Sequence, residues 1–385
     1  MSNTWEEKWV EDIDYLKENL IKRHNNLFFH ISRDEFEEKI NYLKSIVNNL
    51  DYDDMKVELS RIVASVKDAH TSIIFPVKKY LPFKFYWFND EIYIIKTTEK
   101  YKNLLYKKVS SIENISIYKI IEELKEIISY ENEFLFKEQS MKYIQAADVL
   151  YGLLLIDSVD KVKIKVNDFE CNAETVSLEE LIYTEEYKLP IYAKNEFENF
   201  WYEHLINSKE IYIKYNSCRE DGDIKLSQKI NDLVEYINKN SIERLTLDLS
   251  DNLGGDSRLI RPLIDFIKTN NYINKRENLK VIIGRRTFSS ALLNVYEFIN
   301  ETNAKLVGEP SGGKPNCYGE ILKFELPNSK FIVTYSTKYY KLIDDDSVMA
   351  LYPEEIVYRK IEDYIKWESL ELCLKIKNVI LAEVE

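Results

Sequence analysis

The stretch Asp248-Leu-Ser-Asp-Asn-Leu-Gly-Gly-Asp-Ser257 joins a short apolar run, Leu245–Leu249, to a helix-like segment that begins at Ser257. Seven of the nine glycines in this 385-residue chain lie between Gly254 and Gly319. Glycine is used where the backbone takes positive φ or comes close to another group. A chain this sparing with it concentrates it where a ligand meets main-chain amides. Two further segments complete the cluster: Gly284-Arg-Arg-Thr-Phe-Ser-Ser-Ala291 after Val281-Ile-Ile283, and the loop from Gly308 to Gly319 after Leu306-Val307. Each follows a strand-like run, which predicts a site built at strand ends.

Working outward, the C-terminal half alternates. Ile211–Tyr215 reads as a strand, 224–239 as a helix, Leu245–Leu249 as a strand and Ser257–Lys268 as a helix. Val281–Ile283, a helix over Ser290–Ile299, and Leu306-Val307 continue the order. A hairpin over Ile321–Leu326 and Phe331–Ser336 turns at Pro327-Asn-Ser329. This order predicts an α/β fold with a mainly parallel sheet flanked by helices.

The N-terminal 80 residues read as helical. Ser32-Arg-Asp-Glu35 is a capping-box sequence, and Phe36, Ile40, Leu43, Val47 and Leu50 follow at helical spacing. Another helix spans Met55–Lys67 and ends at Asp68-Ala-His-Thr71. From Pro82 the pattern changes to strands, Phe83–Phe88 and Ile92–Ile95, then a strand pair within Leu104–Ile112. A helix from Ile117 and helices through Phe134–Leu155 precede a strand at Lys161–Val166. Ser177-Leu-Glu-Glu180 is a second capping-box sequence. The divisions expected are a helical region 1–80, a β-rich module 82–170 and an αβ core 171–385.

Composition excludes several classes. The net charge of −13 and the lack of a basic stripe argue against nucleic acid or an anionic membrane as partner. The four cysteines, Cys171, Cys218, Cys317 and Cys373, show no C-x-x-C spacing, so neither a disulfide framework nor a zinc site is expected. No H-E-x-x-H or phosphate-loop motif occurs, and no cofactor is expected. The charged N-terminus lacks a signal-peptide core and no apolar stretch spans a membrane, so a cytoplasmic location is expected.

Ser289 sits between a strand and a helix, where a hydroxyl points out of a sheet with helix amides nearby. Taken alone, the segment reads as an ordinary N-cap serine. Asn252-Leu-Gly-Gly255 offers unobstructed amides suited to an oxyanion hole, although two glycines also make a plain tight turn. Nucleophile and oxyanion donors together suit acyl transfer. A serine needs a base. His70 and Lys314 are the candidates: the first ends the N-terminal helices, and the second lies in Gly-Gly-Lys-Pro, where a desolvated lysine works as a neutral base. The other histidines are His24, read as lying within a helix, His30 and His204. A solvated loop lysine and a structural histidine are the ordinary alternatives.

The residues resemble a known family. Leu247-Asp-Leu-Ser-Asp-Asn-Leu-Gly-Gly-Asp-Ser257 is similar to the "D-L-R-x-N-x-G-G-x-S" signature of the C-terminal processing (tail-specific) and tricorn-type serine peptidases. Thr287-Phe-Ser-Ser-Ala291 resembles their nucleophile segment, Val307-Gly-Glu-Pro-Ser-Gly-Gly-Lys314 their "V-G-E-P-T-x-G-K", and Lys67-Asp-Ala-His-Thr-Ser72 their "D-x-H-T-S". The resemblance implies a ClpP/crotonase-like αβ core, a helical N-terminal region and a PDZ-like module over 82–170. It implies a serine endopeptidase with Ser289 as nucleophile and a peptide or unfolded protein as substrate. The tail-specific branch would use Lys314 as base and the tricorn branch His70. The oxyanion donors would be the amides of Gly254 or Gly255 and of Ser290. In this chain Ser250 replaces the signature arginine, Leu253 the usual proline, and Asn300 stands near an acidic position. Two other readings use the same residues: an inactive peptide-binding protein on this fold, and a crotonase-like acyl-transfer or hydratase enzyme.

Overall fold

Leu245, Leu247 and Leu249 alternate with Thr246, Asp248 and Ser250, so one side of that strand is apolar and the other polar. That alternation sets the layering of the core. The computed structural model describes residues 4–184, 190–205 and 208–365; Cys373 lies outside them.

In chain order the helices and strands begin with α1 (Trp5–Arg23), α2 (Arg33–Ile46) and α3 (Tyr52–Ala64), followed by the short strand β1 (Ile73–Ile74). Next come β2 (Phe83–Phe88), β3 (Glu91–Thr97), β4 (Val109–Ile112) and β5 (Ile115–Ser116). The helices α4 (Ile117–Leu124), α5 (Glu133–Gln145) and α6 (Ala147–Gly152) precede β6 (Lys161–Val166) and β7 (Phe169–Glu174). The second half holds β8 (Phe200–His204), β9 (Glu210–Tyr215), α7 (Leu226–Lys239), β10 (Arg244–Asp248), α8 (Arg261–Thr269) and β11 (Leu279–Ile283). It closes with α9 (Ser290–Glu301), β12 (Lys305–Gly308), β13 (Cys317–Glu325), β14 (Ile332–Tyr340), β15 (Glu355–Ile356) and α10 (Ile361–Ile365).

The main sheet runs β15-β12-β11-β10-β9-β8. All its pairs are parallel except the edge pair β8–β9. Leu247 pairs with Val281 on one side and Ile213 on the other. Their apolar face meets α7, α8 and α9 through Ile230, Leu233, Ile264, Val295 and Phe298, all fully buried. The α/β expectation is met, and the C-terminal ends of β10, β11 and β12 lead into the three glycine-bearing loops.

Hairpin β13–β14 leaves this sheet and pairs with β1, where Ile73 faces Val333. Its apolar side packs on the N-terminal helices: Phe331 meets Trp9 and Tyr52, and Phe324 meets Tyr15. The carboxylate of Asp12, fully buried on α1, accepts from the amides of Asn328 (2.8 Å) and Ser329 (2.8 Å) and so fixes the hairpin turn. The N-terminal helices are thereby clamped to an element that begins just after Lys314.

Residues 81–173 build a second core from β2–β7 and α4–α6, which Val57 of α3 joins. A four-stranded sheet, β5-β4-β6-β7, and the separate hairpin β2–β3 make its frame. Buried Lys56 on α3 reaches Asp148 on α6 at 2.8 Å, and the same carboxylate accepts from the amides of Lys78 and Lys79. Three local readings differ. A 3-10 turn occupies Glu99–Leu104, so that stretch contributes a single strand, β4. Ser177 and Glu180 make both capping-box bonds, yet no helix follows; the motif closes a turn. At Ser32 only the side-chain-to-Glu35 bond forms, while full boxes form at Thr4 and Asp51.

Candidate active site

The turn from β11 into α9 is held by a fully buried threonine. Thr287 Oγ1 donates to the Leu249 carbonyl (2.8 Å) and accepts from the Gly284 amide (2.9 Å), locking the second glycine loop onto the first. Asn252, also fully buried, does the same from the other side. Its Nδ2 donates to the Tyr215 carbonyl (2.9 Å), its Oδ1 accepts from the Gly254 amide (2.8 Å), and its carbonyl accepts from the Phe288 amide (3.1 Å).

Ser289 then sits at φ +53°, ψ −129°, directly before α9. A non-glycine residue there is strained by about 1–3 kcal/mol, held in place only by its surroundings. Its side chain makes no cap bond to the helix. The ordinary N-cap reading of Ser289 is therefore overturned: an N-cap residue takes extended backbone geometry and spends its oxygen on the helix amides. The neighbouring hydroxyl is engaged, because Ser290 Oγ donates to the Gly255 carbonyl at 2.6 Å.

Gly254 has φ +99°, and a Cβ there would lie 2.8 Å from the Ser290 amide nitrogen and 2.9 Å from Ser289 Cβ. The missing side chain keeps the Ser290 amide open. Since the Gly254 amide already serves Asn252, the glycine amide left without an acceptor among the described residues is that of Gly255, alongside Ser290.

His70 reaches this place through β1. Its carbonyl accepts from Thr334 Oγ1 (2.9 Å), and Ser72 pairs with Thr334 through both backbone and side chain. The imidazole is 3 % exposed and stacks on Phe288, with centroids 4.3 Å apart. His70, Ser289, Gly254, Gly255, Ser290 and Lys314 all line one cavity of about 1450 Å³, including its open mouth. The structure thus gathers every site residue expected from the sequence. Lys314, only half-buried, also lines an adjoining cavity with His30 and Glu131.

Two acids flank His70. Asp68 Oδ2 accepts from Thr71 Oγ1 (2.6 Å) and Ser336 Oγ (2.6 Å) and contacts His24 Nε2 at 3.0 Å. Asp68 Oδ1 stands 4.0 Å from His70 Nδ1. Burial alone would raise the Asp68 carboxyl, but His24, His70, Ser336 and Thr71 together outweigh it and hold it at about 2. His24 does not lie within a helix as expected; it is the C-cap of α1, turned inward onto Asp68. Glu131 is the second acid. One ligand atom each of Asp68, His70 and Glu131 lie within 4.8 Å of one another. Burial and the nearby Asp68 charge push the Glu131 carboxyl up to about 8, against Lys314 and the Ala69 amide. Burial lowers the His70 imidazole, opposed by Asp68 and the Tyr318 backbone.

Sequence reading gave Glu131 no role. Its signal is its neighbour: Asn132, the N-cap of α5, sends Nδ2 to the carbonyls of Ser311 (3.2 Å), Gly312 (3.1 Å) and Met349 (2.7 Å). That bond set docks the middle segment on the third glycine loop and carries Glu131 in with it. Ser250, where the sequence signature has an arginine, is itself held by a guanidinium from elsewhere in the chain. Arg359 donates to Ser250 Oγ (2.8 Å) and Asp251 (2.6 Å), and buried Lys214 reaches Asp248 and Asp251.

Among solved structures the chain aligns over 98% of its length with 98% of mature CPAF complexed with lactacystin, at TM-score 0.66 and 10% identity. The chain has the CPAF fold. At that identity the likeness is one of fold. Lower scores relate it to the photosystem II D1 C-terminal processing protease (TM-score 0.43, 10% identity, 90% of this chain and 93% of that one). The tricorn protease aligns at TM-score 0.44 and 10% identity, over 99% of this chain and 37% of that one. No protein-family model matches the chain, and no curated protein matches it by sequence. Among the described residues of this CPAF-like fold, no helix is long and apolar enough to cross a membrane.

Proposed function

We propose that the chain is a serine peptidase acting on peptides or unfolded proteins, with Ser289 as nucleophile and His70 as base. The observation that carries this reading is Ser289 itself: a strained serine at a strand-to-helix turn, its hydroxyl unused by the helix, in one cavity with a buried imidazole stacked on the preceding residue. In this reading His70 takes the Ser289 hydroxyl proton as Oγ attacks the scissile carbonyl. The amides of Gly255 and Ser290 receive the oxyanion, each such donor being worth about 3–4 kcal/mol. His70 then gives the proton to the leaving amine, and a water hydrolyses the acyl-enzyme through the same base. The Asp68 carboxylate favours the imidazolium that forms between these steps.

His70 is preferred to Lys314 because burial keeps its imidazole neutral and the Asp68 carboxylate favours its cation. A lysine base needs the same desolvation, and Lys314 is only half-buried. The PDZ-like role of the β-rich module, presenting peptide ends by strand addition, belongs to the same proposal.

The test is digestion of an unfolded protein by wild type, Ser289→Ala, His70→Ala and Lys314→Ala, read by mass spectrometry. Cleavage should vanish in the first two variants and persist in the third. Cleavage surviving Ser289→Ala would sink the proposal; a folded wild type that binds peptides without cleaving them would favour the inactive binder.

A further inference from the structure

Asp68, His70 and Glu131 form a close triangle of two carboxyl groups and one imidazole. Asp68 and His70 are 2 % and 3 % exposed, and the ring nitrogens of His70 and Oε2 of Glu131 are buried with no bond of good geometry. Buried polar atoms are normally satisfied, and those that are not call for an explanation. Two carboxylates and one imidazole, within 4.8 Å of one another, are the oxygen and nitrogen donors a borderline divalent ion takes.

We propose that Asp68, His70 and Glu131 bind one zinc-class divalent cation, and that the ion switches the site off. Zinc bonds to nitrogen and oxygen run about 2.0–2.2 Å, so tetrahedral ligand atoms stand roughly 3.4 Å apart. The Asp68–His70 separation of 4.0 Å must close by about half an ångström, on that geometry. Glu131 Oε2 gives up no partner in turning inward. Asp68 is pre-aimed, since the His70 amide holds its Oδ1 at 3.0 Å. Glu131 lines one cavity and His70 the other, so an ion has a route from either side. Three protein ligands leave a fourth position open to water.

The inhibitory consequence rests on the peptidase reading. Once one ring nitrogen coordinates the ion, the other carries the ring's proton, and the imidazole no longer accepts one from Ser289. The Asp68 carboxylate beside the ring also favours a metal cation in its place. Lys314, whose charge acts on Glu131, opposes the ion and tunes its affinity.

The experiment uses the full chain carrying Ser289→Ala, titrated with Zn2+ against a chromophoric chelator. One equivalent should bind, and the His70 imidazole resonance, assigned with His70→Asn, should shift in step. Adding Glu131→Gln, nearly isosteric, should weaken binding by at least the roughly 10–100-fold that a metal site loses with an outer-shell partner. In the active chain the same ion should abolish cleavage and chelator should restore it. No zinc binding by folded Ser289→Ala, or binding that leaves the His70 resonance unmoved, overturns the inference. Because the readout is binding in a protein without its nucleophile, zinc bound by a chain that never cleaves peptides would sink the peptidase reading alone.

Discussion

The imidazole of His70 lies against the ring of Phe288, with planes 24° from parallel. This contact joins two segments more than two hundred residues apart and sets His70, the proposed base, beside the residue that precedes Ser289, the proposed nucleophile. Phe288→Leu keeps an apolar neighbour but removes the flat face. The expected result is a drop in kcat of about 10–100-fold, the cost of misplacing a catalytic group by roughly an ångström, with KM nearly unchanged. Steady-state kinetics on a peptide substrate check it, together with a melting curve to show that the fold persists.

Gly254→Ala tests the oxyanion assignment. The added methyl would lie 2.8 Å from the Ser290 amide and occupy a backbone at φ +99°. Activity should fall by about 100–1,000-fold, the effect of losing one oxyanion donor, with a stability loss of about 1–3 kcal/mol from strain. Gly222→Ala is the control. Gly222 also has positive φ, +55°, but nothing lies within 4 Å of its Cβ position. It should share the strain and leave kcat alone.

What could be read from sequence follows from what each residue depends on. Val281–Ile283, Ser289 and the hairpin turn at Pro327-Asn-Ser329 are set by patterns within a few residues, and they were legible. The Asn252 and Thr287 clamps lie inside the motifs, so the motifs located them without showing their bonds. Glu131 was not legible, because its place depends on Asn132 docking onto carbonyls about 180 residues further on. His24 was misread because α1 stops one residue before it and its ring turns inward. Arg359 reaches Ser250 and Asp251 from a distant part of the chain, which no local pattern announces.

Ser336 lies on β14, outside the expected site, yet its hydroxyl donates to Asp68 at 2.6 Å. Ser336→Ala removes a buried bond to a charged group, which should cost about 1.5–3 kcal/mol. The urea midpoint should fall with an unchanged m-value. Catalysis should fall as well, though less than in Phe288→Leu, because Asp68 keeps its bonds from Thr71 and from the His70 amide. Equal urea midpoints for variant and wild type would show that the bond adds nothing.

The Asp251 cluster carries the acid limit of the fold. Burial alone would raise the Asp251 carboxyl, but Arg359 and Lys214 outweigh it and hold it well below the usual carboxylate range. A depressed folded-state pKa gives stability that is fully present above the unfolded value, about 3.9, and is lost as pH falls through the folded one. Wild type should therefore lose stability below about pH 4, where the unfolded chain binds the proton that Asp251 refuses. Arg359→Gln removes the main cation and brings the Asp251 pKa toward the unfolded value. The variant should be less stable at neutral pH, and its stability should fall less steeply on acidification. Urea melts of both proteins from pH 7 to pH 3 read the two slopes directly, and parallel slopes would mean that Arg359 does not hold the Asp251 proton off.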